Sequence, residues 1–319
     1  MRLRDIDFGS VFVASGTLNF FGQGWPFHSL YKLLFPWRFD FTGATFTSKT
    51  TTWEERPGNL PLTGNLQPAE LRPDCIRIYL LQAMVLNAVG LSGPGAQALL
   101  AANEWQQRLL PWVLSFMSVA QTKAQRLQEL QAFVDLVCKR QPEFRAKFAL
   151  QINISCPNTG HNTTQLVDEA LELLTIANQL GVPVDLKVNA LISHELIREI
   201  EGAQLCDVIT CSNTIPWGTL SEQINWQKLF GSTTSPLAHL GGGGLSGRPI
   251  LDVVCRWIAK ARALGIRMPI KGGGGILCPQ DAAKMISAGA NAIEIGTIGI
   301  VRPWQVQPTI SFAKRTLEP

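Results

Sequence analysis

The residues Asn153-Ile154-Ser155-Cys156-Pro157-Asn158 place a thiol between two carboxamides. A thiol takes or gives a proton. Each carboxamide offers both a donor and an acceptor, and none of the three carries a fixed charge at neutral pH. Such a set suits a planar, polar, hydrogen-bonding substrate. The apolar run Phe148, Ala149, Leu150 and Ile152 leads into it, and the polar stretch 159–165 leaves it. The chemistry-bearing residues therefore stand where a strand gives way to a loop. An α/β barrel carries its active site at that kind of junction.

Lys49, Asn87, Lys187, Asn213 and Thr214 occupy comparable places, at or just past the ends of apolar runs. Taken singly each has a plainer explanation. An Asn at a strand end commonly caps the next turn, and a lone Cys commonly fills a core. Lys49 and Lys187 are harder to dismiss, because burying an ammonium among apolar strand residues is costly unless an anion meets it. Convergence on one rim points to a site. Glycines make a second constellation, at 272–275 after one strand and at Gly296-Thr297 after the next. Four glycines in a row exceed what a tight turn requires. Their amides, with a following helix N-terminus, can surround a phosphate dianion. A phosphate-bearing cofactor beside a lysine and a proton-transferring thiol points to flavin mononucleotide (FMN), with Lys187 near the ring favouring a reduced, anionic form.

The elements that must position these residues alternate along the chain. Short apolar runs at 11–15, 44–48, 82–86, 112–119, 148–155, 184–188, 208–211, 268–271 and 292–295 read as strands. Between them, 95–107, 123–140, 165–180, 195–200, 250–264 and 280–288 read as helices; in 123–140, Leu127, Leu130, Phe133, Val134 and Val137 share a face. The pattern predicts a TIM (β/α)8 barrel forming a single domain over 1–319. A doubly wound open sheet is the alternative, but its glycine-rich turn after the first strand is absent.

Composition agrees with a large covered core. Only 16% of the 319 residues are charged, against the usual ~25%. The net charge of +4 comes with no basic stripe interleaved with aromatics, so nucleic acid is not favoured. Seven scattered Cys without a C-x-x-C pair, and only four His, argue against a disulfide framework and against a metal site. A reducing, cytoplasmic setting is expected. The first eight residues lack the apolar core of a signal peptide, and no run of eighteen apolar residues offers a membrane span. Nine aromatic residues fall between Phe20 and Phe41. They read as a segment packed on the barrel, a subunit interface or a membrane-facing surface.

Taken in order, Thr47-Ser48-Lys49-Thr50, Glu54-Glu55-Arg56-Pro57-Gly58-Asn59, Asn87 with Gly90-Leu91, the hexapeptide at 153–158, Asp185-Leu186-Lys187, Ser212-Asn213-Thr214, Gly243-Gly244-Leu245-Ser246-Gly247, 272–276 and Ile295-Gly296-Thr297 resemble a dihydroorotate dehydrogenase. The likeness runs from about Ser15 to Thr297 and is specific as a set. It implies FMN-dependent oxidation of dihydroorotate to orotate in pyrimidine synthesis. Cys156 matches the family's base, which removes a proton from the carbon next to the ring carbonyl. Asn87, Asn153, Asn158 and Asn213, with Thr214, match residues that hold the substrate. Lys49 matches a lysine near both flavin and substrate, and Lys187 the lysine beside the flavin ring. Ser15, Gly16, Gly244, Gly274, Gly275, Gly296 and Thr297 match the flavin and phosphate loops.

Cys at 156, in place of Ser, resembles the soluble class. The stretches 212–214 and 243–249 read more like the quinone-reducing class, and Thr159-Gly160-His161-Asn162 is not the soluble class's usual continuation. The electron acceptor therefore stays open, and a homodimer or an electron-transfer partner subunit is compatible with the resemblance. Rival readings are a dihydropyrimidine dehydrogenase-like barrel, a transfer RNA dihydrouridine synthase and a flavin-binding barrel without turnover. The synthase needs a further helical domain, and only 22 residues follow Thr297.

Overall fold

The computed structural model describes residues 1–155 and 169–318. Seven strands form one parallel sheet in the order Val11–Val13, Ala292–Ile295, Ile270–Gly273, Val208–Cys211, Val184–Val188, Phe148–Asn153, Trp112–Phe116. Every neighbouring pair is parallel. All residues of these strands are buried, which is why they read as nearly continuous apolar runs: parallel strands have both faces covered. The sheet curls until its two outer strands reach the same stretch of chain. Thr45 bridges Phe12 on one edge, while Thr47 and Thr51 bridge Val113 and Phe116 on the other. The backbone bonds Val13 N–H to Thr45 O (2.8 Å) and Val113 N–H to Phe46 O (2.9 Å) mark the two sides. The stretch expected as a strand at 44–48 is thus held by isolated bridges.

Helices Lys123–Arg140, Ala170–Asn178, His194–Ala203, Leu251–Ala263, Pro279–Ser287 and Val306–Leu317 cover the outside. The first begins where expected because Thr122 and Gln125 form a reciprocal capping box. Its inner face buries Leu130, Phe133, Val134 and Val137, and Phe133 stacks on Phe116 with ring centroids 4.0 Å apart. Such a pair adds about 0.5–1.5 kcal/mol beyond its buried area. The helix expected over 95–107 spans only Ala96–Ala101, because Asn103 takes a left-handed conformation at φ 62° that ends it.

One expected barrel strand is not in the barrel. Met84–Asn87 belongs to a separate four-stranded antiparallel sheet, in the order Ile215–Pro216, Gly244–Gly247, Met84–Asn87, Ile76–Tyr79. Four apolar residues in a row look alike in either kind of sheet, so the run itself cannot choose its partner. The glycines of 244–247 make the choice. A Cβ on Gly247 would lie 2.4 Å from Ala83 O, so only glycine lets the two strands approach. This sheet has its own small core, including Met84, Leu86, Ile215, Trp226 and Leu245.

The aromatic segment is partly absorbed by packing. Phe20 and Phe39 are buried, and His28 sits edge-on to Phe39 and Phe27 at 4.9 Å. Burial lowers the His28 pKa to about 4, with Lys32 adding to the effect. Leu30, Leu33, Leu34 and Trp37 remain exposed. Among the described residues no helix is long and apolar enough to cross a membrane, and no cluster of His, Cys, Asp and Glu is arranged to hold a metal.

Candidate active site

The C-terminal ends of the parallel strands and the inner face of the antiparallel sheet enclose a cavity of about 240 Å³. The strand ends contribute Ser15 and Gly16, Asn153, Lys187, Asn213 and Thr214, Gly274 and Gly275, and Gly296 and Thr297. The stretch 45–51 adds Lys49 and Thr50, and the antiparallel sheet adds Asn87, Val85 and Ile76. Residues far apart in sequence thus meet around one space, as their shared position after apolar runs predicts. Gly244 does not line the cavity. It pairs with Asn87 across the antiparallel sheet, 3.5 Å from the Asn87 amide nitrogen to the Gly244 carbonyl. Cys156 and Asn158 lie outside the described residues, as does His161.

Asn153 ends its strand buried inside the barrel, and its carboxamide is oriented on both sides. Nδ2 donates to Thr50 Oγ1 at 3.3 Å, while Oδ1 accepts from Ser155 N–H and from Asn213 Nδ2, each at 3.2 Å. Ser155 Oγ donates to Lys187 O at 3.1 Å, tying the last described residue before Cys156 to the neighbouring strand. Asn213 in turn receives the Thr214 N–H on Oδ1 at 2.8 Å. Thr50 Oγ1 lies 2.9 Å from both Ser15 Oγ and Ser115 Oγ. Side chains in such a chain of bonds have little rotamer freedom, so the cavity's polar wall is preorganised.

The two lysines singled out by their apolar neighbours solve the burial problem differently. Lys187 Nζ meets Glu294 Oε2 at 2.7 Å, an ion pair with both side chains at most 5% exposed. Among the described residues Lys49 has no carboxylate in contact: its Nζ donates to Ser92 O at 2.7 Å and lies 4.8 Å from the Phe20 ring centre. Desolvation therefore lowers its pKa from 10.5 to about 8, opposed by the Cys75 thiol nearby.

A buried polar network lies beneath the cavity, and of its members only Asp185 and Lys187 stand in the motifs read from the sequence. Asp185 Oδ2 accepts from Lys271 Nζ and from Gln151 Nε2, both at 2.7 Å, and its Oδ1 accepts from Thr210 Oγ1 at 2.6 Å. Lys271 also lies 3.8 Å from Glu294 Oε1. A signal was present. In Val184–Val188, Ile270–Gly273 and Ala292–Ile295, charged residues interrupt apolar strands at positions facing inward, and a barrel interior must pair them.

The glycine loops provide the test for a phosphate-bearing cofactor. Gly275 has φ +78°, and a Cβ there would sit 2.7 Å from Leu251 Cβ and 2.8 Å from Gly247 O. Only glycine allows this turn against the start of the Leu251–Ala263 helix. Among the described residues, the amides of Gly274, Gly275, Gly296 and Thr297 donate to no protein acceptor, and all four residues line the cavity. Unused backbone donors lining one cavity together with a lysine and carboxamides fit a flavin mononucleotide: the donors suit its phosphate and the polar wall suits its ring.

The family model for dihydroorotate dehydrogenase matches residues 38–312. The catalytic subunit of dihydroorotate dehydrogenase B (NAD(+)) from Latilactobacillus sakei is 28% identical over 300 residues, covering 92% of this chain and 84% of that protein. The same subunit from Listeria monocytogenes is 31% identical over 240 residues, covering 73% of each. Among solved structures, the Eimeria tenella dihydroorotate dehydrogenase in complex with ferulenol superposes with a TM-score of 0.67 at 19% identity, covering all of this chain and 84% of that one.

Proposed function

The chain belongs to the dihydroorotate dehydrogenase family, an FMN-dependent oxidoreductase family that oxidises dihydroorotate to orotate in pyrimidine biosynthesis, and from that premise we propose that the cavity is the site of this oxidation. The observation that carries the proposal is the convergence of Lys49, Asn87, Asn153, Lys187 and Asn213 on one cavity with the glycine loops. In this reading Ser15, Gly16, Lys49, Lys187, Gly274, Gly275, Gly296 and Thr297 hold the cofactor, and Gly244 supports it by backing Asn87. Bound FMN supplies the acceptor for the hydride leaving the substrate. Asn87, Asn153, Asn158, Asn213 and Thr214 hold the substrate's ring amides and carboxylate, matching its alternating donors and acceptors. The Cys156 thiolate takes the proton from the carbon next to the ring carbonyl. Adding dihydroorotate to the FMN-loaded protein under nitrogen is expected to bleach the yellow flavin colour. Persistent colour would sink the proposal.

Lys49 gives this reading a pH signature. Lys49 lines the cavity and burial lowers its pKa to about 8, so in this reading affinity for the anionic product orotate falls as pH rises above about 8. Binding there takes up a proton, because the carboxylate favours the charged lysine. Titration calorimetry in buffers of different ionisation enthalpy reads both effects, and Lys49→Met removes the slope. Stability runs the opposite way. The folded-state value lies below the unfolded one, so the unfolded chain binds more protons between about pH 8 and 10.5. Folding is therefore favoured as pH rises through that window.

We also propose that residues 45–51 act as the eighth stave of a closed (β/α)8 barrel forming one domain, supported by their bridges to both edge strands. The relatives' description as catalytic subunits of an NAD(+)-linked enzyme supports an electron-transfer partner subunit and a cytoplasmic setting.

A further inference from the structure

Two acidic and two basic side chains from three strands of the parallel sheet meet inside the barrel: Asp185 and Lys187 from Val184–Val188, Lys271 from Ile270–Gly273 and Glu294 from Ala292–Ile295, with Val208–Cys211 lying between the first strand and the second. None is more than 4% exposed. Only Lys187 and Glu294 line the cavity. Below them, Asp185 is saturated by Lys271, Gln151 and Thr210, and Lys271 packs 4.3 Å from the Phe12 ring centre. Glu294 joins the two levels, with Oε2 at 2.7 Å from Lys187 and Oε1 at 3.8 Å from Lys271. Oε1 is buried with no hydrogen bond among the described residues. A carboxamide here could still hold the Lys187 ammonium by a hydrogen bond. A carboxylate holds it and also offsets its charge, an effect that is large where water is excluded.

We propose that Glu294 is a positioning residue that sets the electrostatics of the cavity floor through Lys187: it fixes the ammonium and reduces the positive field reaching a bound flavin. This rests on the reading that Lys187 borders the flavin ring. A cation beside the ring stabilises the anionic reduced flavin. Glu294 therefore holds the flavin potential down, which makes the reduced cofactor a readier donor to its oxidant. Lys271 and Asp185 anchor Glu294 from beneath, so the offset is built into the scaffold.

The test uses the FMN-loaded full chain, with two readouts besides turnover: the midpoint potential of bound flavin by dye equilibration, and the dissociation constant of the sulfite adduct. Glu294→Gln is expected to raise the potential and tighten sulfite binding by about tenfold, equivalent to ~30 mV for a two-electron couple. Glu294→Asp keeps the charge and is expected to stay close to the parent in both. Glu294→Gln that holds FMN with unchanged potential and sulfite affinity overturns the inference. Lys187→Met with the parent potential overturns the underlying placement of Lys187 instead, so the two failures are distinct. If Glu294→Gln does not fold, the charge-balanced K271M/E294Q removes one charge of each sign and must shift both readouts in the same direction. No shift in that variant overturns the inference equally.

Discussion

Cys156→Ala is expected to slow reduction of the bound flavin by dihydroorotate by ~10²–10⁴-fold, the usual contribution of a positioned general base. FMN occupancy should be unchanged, because the residues assigned to the cofactor do not include Cys156. Among the described residues of the polar wall the carboxamides and hydroxyls supply no base, and Lys49, whose pKa is lowered to about 8, is engaged by Ser92 O. Asn153, Asn213 and Thr50 orient one another by neutral hydrogen bonds, and a carboxamide or hydroxyl is a poor base at neutral pH. Lys187 is engaged by Glu294. A thiol with an ordinary pKa of ~8.5 is only a few per cent thiolate at neutral pH. The parent's flavin-reduction rate should therefore climb between about pH 6 and pH 9 as the thiolate fraction grows. Stopped-flow reduction under nitrogen reads both predictions. A rate that is flat across that range, or an alanine variant reduced as fast as the parent, would remove Cys156 from the role.

The second large effect is on stability. Asp185→Leu should destabilise the fold by ~3–5 kcal/mol, because it strands a buried ammonium. Lys271 is 1% exposed and makes its close contact with Asp185, while Glu294 stands 3.8 Å away and is committed to Lys187. Gln151 Nε2 and Thr210 Oγ1 lose their acceptor in the same stroke. The double variant Asp185→Leu/Lys271→Met removes both charges, and buried ion pairs exchanged for apolar residues of similar volume are commonly neutral or stabilising. Urea denaturation of the parent, the single variant and the double variant measures the difference. A single variant within ~1 kcal/mol of the parent would mean that the pair is solvated or that Glu294 replaces Asp185 outright. The contrast also has a functional side. If the double variant is stable yet its bound flavin shifts in potential, the quartet is kept for electrostatics at the expense of nothing in stability.

Much of the site was legible in the chain because its chemistry lies at strand ends, and strand ends are local events. The apolar run Phe148–Asn153 stops at a carboxamide, and Val208–Cys211 stops before Asn213. Gly274, Gly275, Gly296 and Thr297 were likewise marked by their place after apolar runs. Partner choice was not local. Met84–Asn87 has the same apolar character as a barrel strand, yet it pairs antiparallel with Gly244–Gly247, more than 150 residues later in sequence. That pairing brings Asn87 to the cavity wall and sets Gly244 against Asn87, outside the cavity lining.

The sequence by itself determined which residue types stand at which strand ends: a thiol able to exchange a proton, carboxamides suited to a planar polar ring, and glycine amides able to surround a phosphate, with the thiol's part as base implied only by the family resemblance. Those follow from composition and period over a few residues. Only the tertiary structure decided what neutralises the buried Lys187 and Lys271. The partners of Lys187 and Lys271 are Glu294 and Asp185, over a hundred and over eighty residues away in the chain for the respective first contacts. Curling the sheet brings their inward faces together, and the low dielectric there makes the pairing of those four charges obligatory.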